Sequence, residues 1–214
     1  MLTVYGRATS SNVQLVMWAV GELGLAHRRL DYGHVFGGVD TPEYLALNPN
    51  GTVPTLKDGD LVVWESCAIL RYLAGTYGDE AFWPRDPAAR AAVDQWAEWG
   101  KINLTLGFTV PIFWARVRTA AKDRDQAALD RSLAQFERAL DILEAQLAHQ
   151  DYVASDRFTA ADVVIGHVLY RWYDIDVPRR PRARLEEYYQ RLSHRPAYRQ
   201  HVMVDYSALR VEGA

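Results

Sequence analysis

The 214-residue chain changes its pattern once, at "GDEAFWPRDPAAR" (78–90), where Pro84 and Pro87 interrupt a polar stretch. Before that point short strand-like and helix-like segments alternate, and after it apolar residues recur almost everywhere at helical spacing. A chain written this way folds as a small mixed sheet with helices on its faces, residues 1–80, joined through 81–87 to an all-helical unit, 88–214. The expected class is α/β followed by all-α.

Within the first unit "LTVYG" (2–6) reads as a strand. In "SSNVQLVMWAVGELGL", Val13, Val16, Met17, Val20 and Leu23 keep helical spacing behind a Ser or Asn cap. "HRRLDY" (27–32) is a second strand, and "TPEYLALN" (41–48) a short helix with Thr41 as cap and Pro42 at the first helical position. "VPTL" and "LVVWE" flank "KDGD", whose Asp58-Gly59 pair marks a hairpin, and "SCAILRYLAGTYG" is helical from Ser66. The order is β-α-β-α-β-β-α.

In the second unit, residues 88–118 read as one long helix that Pro111 kinks, because the ring removes a backbone hydrogen bond. Leu129, Leu133, Phe136, Leu140, Leu143 and Leu147 alternate steps of four and three, which fits a helix packed within a bundle. In "FTAADVVIG" (158–166), Thr159 and Asp162 are spaced as a capping box with Asp in place of Glu.

Several function classes are excluded at this level. Twenty-four Lys and Arg against 27 Asp and Glu give a formal net charge of −3, which draws in neither nucleic acid nor anionic lipid. The one dense basic run, "RRPRAR" (179–184), reads as a solvated loop. A single cysteine, Cys67, excludes an internal disulfide and a cysteine-rich metal site. There is no charged-then-apolar leader pattern and no run approaching 18 apolar residues, so a reducing cytoplasm is the expected compartment. Six scattered histidines, and the absence of HExxH, Walker A or GxGxxG patterns, leave metal and nucleotide chemistry without a motif.

Pro54 breaks the strand-like "GTVPTL" (51–56), and a proline cannot donate to a sheet ladder. Its context is informative. "NPNGTVPTL" (48–56), "WESCAILRYLA" (64–74), "AAVDQWAEW" (91–99), "DRFTAADVVIG" (156–166) and "RPAYRQHV" (195–202) occur in this order along essentially the whole chain. In these stretches the chain resembles the cytosolic glutathione S-transferases, in particular the bacterial, serine- or asparagine-using, theta-like members.

The resemblance implies a thioredoxin-like first domain, a helical second domain, a homodimer, and glutathione as co-substrate in detoxifying conjugation of a small hydrophobic electrophile. It further implies a cis Val53–Pro54 bond, with the N–H and C=O of Val53 pairing with the cysteinyl backbone of glutathione. Glu65 and Ser66 stand where the second hairpin strand gives way to a helix, whose free N–H groups suit the γ-glutamyl carboxylate. Ser66 would donate through N–H and Oγ, and Glu65 would face the ammonium. Thr52 and His34 are the candidates for the glycyl carboxylate, and Asp94 for the ammonium of the glutathione bound to a partner subunit.

The chemistry falls to "GRATSSNVQ" (6–14). A free thiol is only about 3% ionised at neutral pH, and lowering its pKa by two units takes roughly 2.7 kcal/mol. A helix N-terminus supplies about 0.3–2 kcal/mol and a hydroxyl bond to the charged sulfur about 1.5–3 kcal/mol, so the two suffice together. Ser11 matches by its distance from Tyr5, Ser10 by alignment of the following helices, and Asn12 by its amide; Tyr5 ranks last, as a strand tyrosine. No cysteine stands in 7–14, so a mixed-disulfide route has no nucleophile there, and Cys67 reads as a buried inert thiol. Asn12 and Gln14 replace the residues expected of a maleylacetoacetate isomerase. Phe108, Phe113, Trp114, Arg116 and Tyr206 are the candidates for lining the second-substrate site. Glutathione-dependent disulfide reduction and non-catalytic glutathione binding are the alternatives.

Overall fold

The computed structural model describes residues 1–213. Strands β1 (Leu2–Tyr5), β2 (His27–Leu30), β3 (Thr55–Asp58) and β4 (Leu61–Trp64) form one sheet in the order β2-β1-β3-β4. β1 runs parallel to β2 and antiparallel to β3, with Tyr5 opposite Leu30 on one side and Thr55 on the other. The β3–β4 hairpin turns at Gly59, whose φ of 58° suits the Asp-Gly signal. β3 begins at Thr55, so Pro54 precedes the ladder and takes no place in it. The Val53–Pro54 bond is cis.

Strand alternation puts Leu2 and Val4 into the core with α1 (Ser11–Glu22) and α3 (Ser66–Tyr77). Tyr5 packs elsewhere, in edge-to-face contact with Tyr32 and Tyr44, the latter carried by α2 (Pro42–Leu45). Thr41 caps α2 as expected, its Oγ1 accepting from the Tyr44 N–H at 3.3 Å.

The second domain starts with α4 (Pro87–Gly100), capped by Asp86. The helix continues as two π-turns, Lys101–Leu106 and Thr109–Trp114, and finishes as α5 (Ala115–Val117). Pro111 lies inside the second π-turn, whose widened turn accommodates its missing N–H. Then follow α6 (Gln126–Leu147), α7 (Ala160–Gly166), α8 (Leu169–Asp174), α9 (Ala183–Ser193) and α10 (Pro196–His201). α7 lies at the centre of this domain: all seven of its residues are buried. Gly100 lets α4 approach it closely, since a Cβ there would come within 2.7 Å of Ile165.

Asp162 anchors the start of α7. Its carboxylate accepts from the Thr159 N–H at 2.7 Å, the Thr159 hydroxyl at 3.0 Å, the Val153 N–H at 3.0 Å and the Tyr188 hydroxyl at 2.9 Å. The domains are joined by apolar packing and by ion pairs. Trp18 of α1 lies edge-on against Tyr198 of α10, Arg195 makes a bidentate bridge to Glu22, and Arg71 of α3 pairs with Asp94 and Glu98 of α4.

The basic run corrects one expectation. Arg182 is buried, not solvated, because Glu137 and Asp141, four apart on α6, both accept from it at 2.7 Å. Arg180 joins the same carboxylates from the exposed side. No helix of the described residues is long and apolar enough to cross a membrane.

Candidate active site

Two helices begin at the C-terminal ends of strands and present their N-termini to the same cleft. β1 leads into α1 through Gly6–Ser10, and β4 leads into α3 through Glu65. Gly6 is required at this junction: with φ at 150°, its Cα passes so near Val13 that a Cβ would lie 2.4 Å away. Each helix start exposes backbone N–H groups without intrahelical acceptors and a positive dipole end, a ready anion site.

At α1, Ser10 is the N-cap and Ser11 the first helical residue, both almost fully buried. Ser10 does not cap with its side chain. Its hydroxyl is free of the structural role that Ser-Ser-Asn would serve in an ordinary helix start.

At α3, Ser66 is buried at 2% exposure and its hydroxyl donates to Asn12 Oδ1 at 3.3 Å. Lys101, the first residue of the π-turn, adds its ammonium to both, donating to Asn12 Oδ1 at 3.0 Å and to Ser66 Oγ at 3.1 Å. Asn12 therefore tethers one helix start to the other. Lys101 has a third N–H to offer, and no local motif marks it in the sequence. Glu65 precedes Ser66 with φ at 70°, a conformation that costs a non-glycine residue about 1–3 kcal/mol. Its side chain is exposed and makes no cap bond.

Between the two helix starts lies the 52–54 segment. The Thr52 carbonyl accepts from Tyr44 Oη at 2.7 Å and Asn48 Nδ2 at 2.9 Å, and both donors also reach Thr55 Oγ1. This buried polar brace fixes the backbone on either side of Val53. Val53 itself has no backbone hydrogen bond among the described residues. The Thr52 side chain is exposed. His34, at φ 55°, lies in the loop that folds over Val53, where Gly33 approaches the Val53 methyl groups. Its pKa is depressed by desolvation and by the nearby charges of Arg7 and Arg118.

Three of the candidates for the second-substrate wall are placed differently. Phe108, Phe113 and Tyr206 belong to the core, not to a cleft wall: the two phenylalanines pack with Phe136, Trp172 and Tyr206, and Tyr206 donates to Asp174. Arg116 is drawn to the Asp176 carbonyl at 2.7 Å. Trp114 is exposed, and with Ile102, Leu106 and Val110 it makes an apolar strip recurring every four residues. Asp94 is engaged by Arg71 Nε at 2.7 Å. Burial pushes the Cys67 thiol up, which fits an unreactive side chain. No group of three or more potential metal ligands occurs among the described residues.

Comparisons bear directly on this arrangement. The family model "Glutathione S-transferase, N-terminal domain" matches residues 1–75, and "Glutathione S-transferase, C-terminal domain" matches 126–191. The Escherichia coli (strain K12) protein Glutathione S-transferase GstB is 37% identical over 209 residues, covering 97% of this chain and all of the relative. Maize Glutathione S-transferase 3 is 32% identical, covering 94% of this chain and 93% of its own. Among solved structures, the theta class glutathione S-transferase of Xanthomonas axonopodis pv. citri with glutathione bound superposes with a TM-score of 0.91. It is 42% identical, covering 95% of this chain and 98% of that one.

Proposed function

The chain belongs to the glutathione S-transferase family and is a glutathione transferase; on that premise we propose that glutathione spans the two helix starts, its sulfur at α1 and its γ-glutamyl end at α3. The cysteinyl backbone pairs with the N–H and C=O of Val53. The γ-glutamyl carboxylate accepts from the Ser66 N–H, from the remaining N–H of Lys101, and from Ser66 Oγ as its one proton turns from Asn12 Oδ1, which Lys101 still holds, while Glu65 faces the ammonium. Thr52 and His34 serve the glycyl carboxylate.

Ser11, with Ser10 beside it, donates to the sulfur. Hydroxyl and helix N-terminus together favour the thiolate by the few kcal/mol that ionisation at neutral pH requires. The thiolate then attacks an electrophile whose apolar body rests against the second domain beside Trp114. Asn12 holds the geometry by joining the helix starts. The protein acts in this reading as a cytoplasmic homodimer in detoxification, with its domains divided at 81–87.

One observation carries the reading: a serine pair at a helix start, its N-cap hydroxyl unused by the fold, facing a second helix start tied to the first through Asn12, Ser66 and Lys101. The test is a glutathione titration followed at about 240 nm, where thiolates absorb, beside conjugation of 1-chloro-2,4-dinitrobenzene. A rising signal that saturates, with turnover, is the expected result. Saturable binding without a thiolate signal would overturn the serine assignment.

A further inference from the structure

Two arginines are buried among the described residues, and their surroundings differ. Arg182 is clamped by the carboxylates of Glu137 and Asp141. Arg171, 3% exposed, meets no carboxylate. Its Nη2 donates to the Thr9 carbonyl at 2.8 Å, its guanidinium lies 4.5 Å from the Phe113 ring centroid and 5.4 Å from that of Tyr206, and its Nε is buried without a partner.

Thr9 belongs to the loop that delivers Ser10 and Ser11, and Arg7 lies on the same loop. Arg7 is half-buried, with its Nε also unpartnered. Arg118 approaches from the far end of the long helix, its guanidinium stacked 4.2 Å over the exposed Trp114. Burial, with the nearby charge of Arg118 adding to it, lowers the pKa of Arg7, and burial, with the charge of Arg7 adding to it, pushes that of Arg171 down to about 10. His34 faces Arg7 and Arg118.

A chain of net charge −3 thus gathers three arginines around its reactive loop, and no carboxylate among the described residues pairs with any of them. Aromatic faces offset part of that repulsion, but buried charge is normally paired. The missing partner is an anion brought by a ligand. Glutathione's γ-glutamyl carboxylate is already served at the Ser66 and Lys101 end. The cluster is instead built from both domains, with Arg118 on the aromatic wall and Arg7 on the reactive loop, as a second-substrate site would be.

We propose that the electrophile of this enzyme carries a carboxylate, received by Arg7 and Arg118 in front of the buried Arg171 while its apolar body lies on Trp114. This rests on the transferase reading above. Arg7 and Arg118 contact the anion; Arg171 is a positioning residue that holds Thr9 and adds its field from behind. With a chloroarene carboxylate the thiolate sulfur forms the new C–S bond, the C–Cl bond breaks, and chloride leaves with the electron pair.

The experiment compares 4-chloro-3,5-dinitrobenzoate with its methyl ester, each kcat/KM divided by the uncatalysed rate with glutathione. A preference for the carboxylate of about tenfold or more is expected from a charge-assisted bond. It falls toward parity in Arg7→Gln and Arg118→Gln, and weakens with salt. In parallel, calorimetry on the glutathione-saturated wild type compares unreactive 3,5-dinitrobenzoate with 3,5-dinitrobenzamide, which needs neither turnover nor a variant. Equal binding of acid and amide overturns the inference. So does a rise in the KM for glutathione in Arg118→Gln with the carboxylate preference intact, because the cluster then serves the glycyl carboxylate. Tighter binding of the acid without turnover of either chloride supports the anion site and defeats the transferase reading instead.

Discussion

The Ser66 hydroxyl donates to Asn12 Oδ1 at 3.3 Å, joining the first turns of two helices whose residues stand 54 apart in the chain. Lys101 closes the triangle from the second domain. The distance between the two helix starts is thereby set by side chains from three elements, so in the proposed binding mode glutathione meets ends already spaced for it.

Removing the serine hydroxyls tests the ionisation step. In Ser11→Ala the pKa of bound glutathione should rise by about 1–2 units, the equivalent of one charge-assisted bond. Ser10→Ala should give a smaller rise and the double variant the largest. Spectrophotometric titration across pH measures it; a double variant that ionises glutathione like the wild type would remove both serines from the mechanism.

Lys101 offers a test of ground-state binding. Lys101→Met should raise the KM for glutathione roughly tenfold, the loss of one charged hydrogen bond, with a smaller change in kcat. Lys101→Arg should recover part of the affinity. Steady-state kinetics distinguish this from general damage, in which kcat would fall as much as KM rises.

His167 should make the protein acid-labile. Burial, with the charge of Lys101 adding to it, lowers its pKa from 6.5 to about 3, and its Nδ1 lies 2.7 Å from the Val164 carbonyl. Below pH 6.5 the unfolded chain takes up a proton at this residue that the native state refuses. The stabilisation is therefore complete above 6.5 and lost progressively toward 3. Urea unfolding at a series of pH values should show the slope, and His167→Gln should flatten it. Identical slopes in the two proteins would exclude His167 as the cause.

Asp162→Asn should destabilise the second domain by about 2–4 kcal/mol, since an amide cannot accept from all four donors and turns N–H against N–H. Chemical denaturation measures it. A loss below about 0.5 kcal/mol, the range of ordinary surface changes, would show that the network is dispensable.

Much of the fold was written locally. Asp58-Gly59 marked the hairpin, Thr41-Pro42 the start of α2, and Thr159 with Asp162 the start of α7, because each signal involves residues within four positions of one another. The serine pair and the Glu65-Ser66 junction were legible for the same reason. Lys101 was not: its partners are 89 and 35 residues away, and nothing local marks an ammonium that will cross a domain boundary. Tyr44 and Asn48 show only helical spacing in the sequence, yet their side chains brace Thr52 and Thr55. The position of Phe108 and Phe113 on the long helix suits a cleft wall in the sequence, yet both are core. The two π-turns change which residues share a face, so the exposed strip became Ile102, Leu106, Val110 and Trp114. Arg182 needed carboxylates from another helix to be buried, which its own basic neighbours concealed.

The Thr9 carbonyl accepts from a guanidinium 162 residues downstream. The stretch that carries the proposed sulfur-activating serines is thus moored to a helix beyond its own sheet, and a chimera grafting the first domain of this enzyme onto the helices of a relative inherits a different mooring. Altered thiol reactivity in such hybrids would trace to α8, even with every residue of the glutathione cleft left untouched.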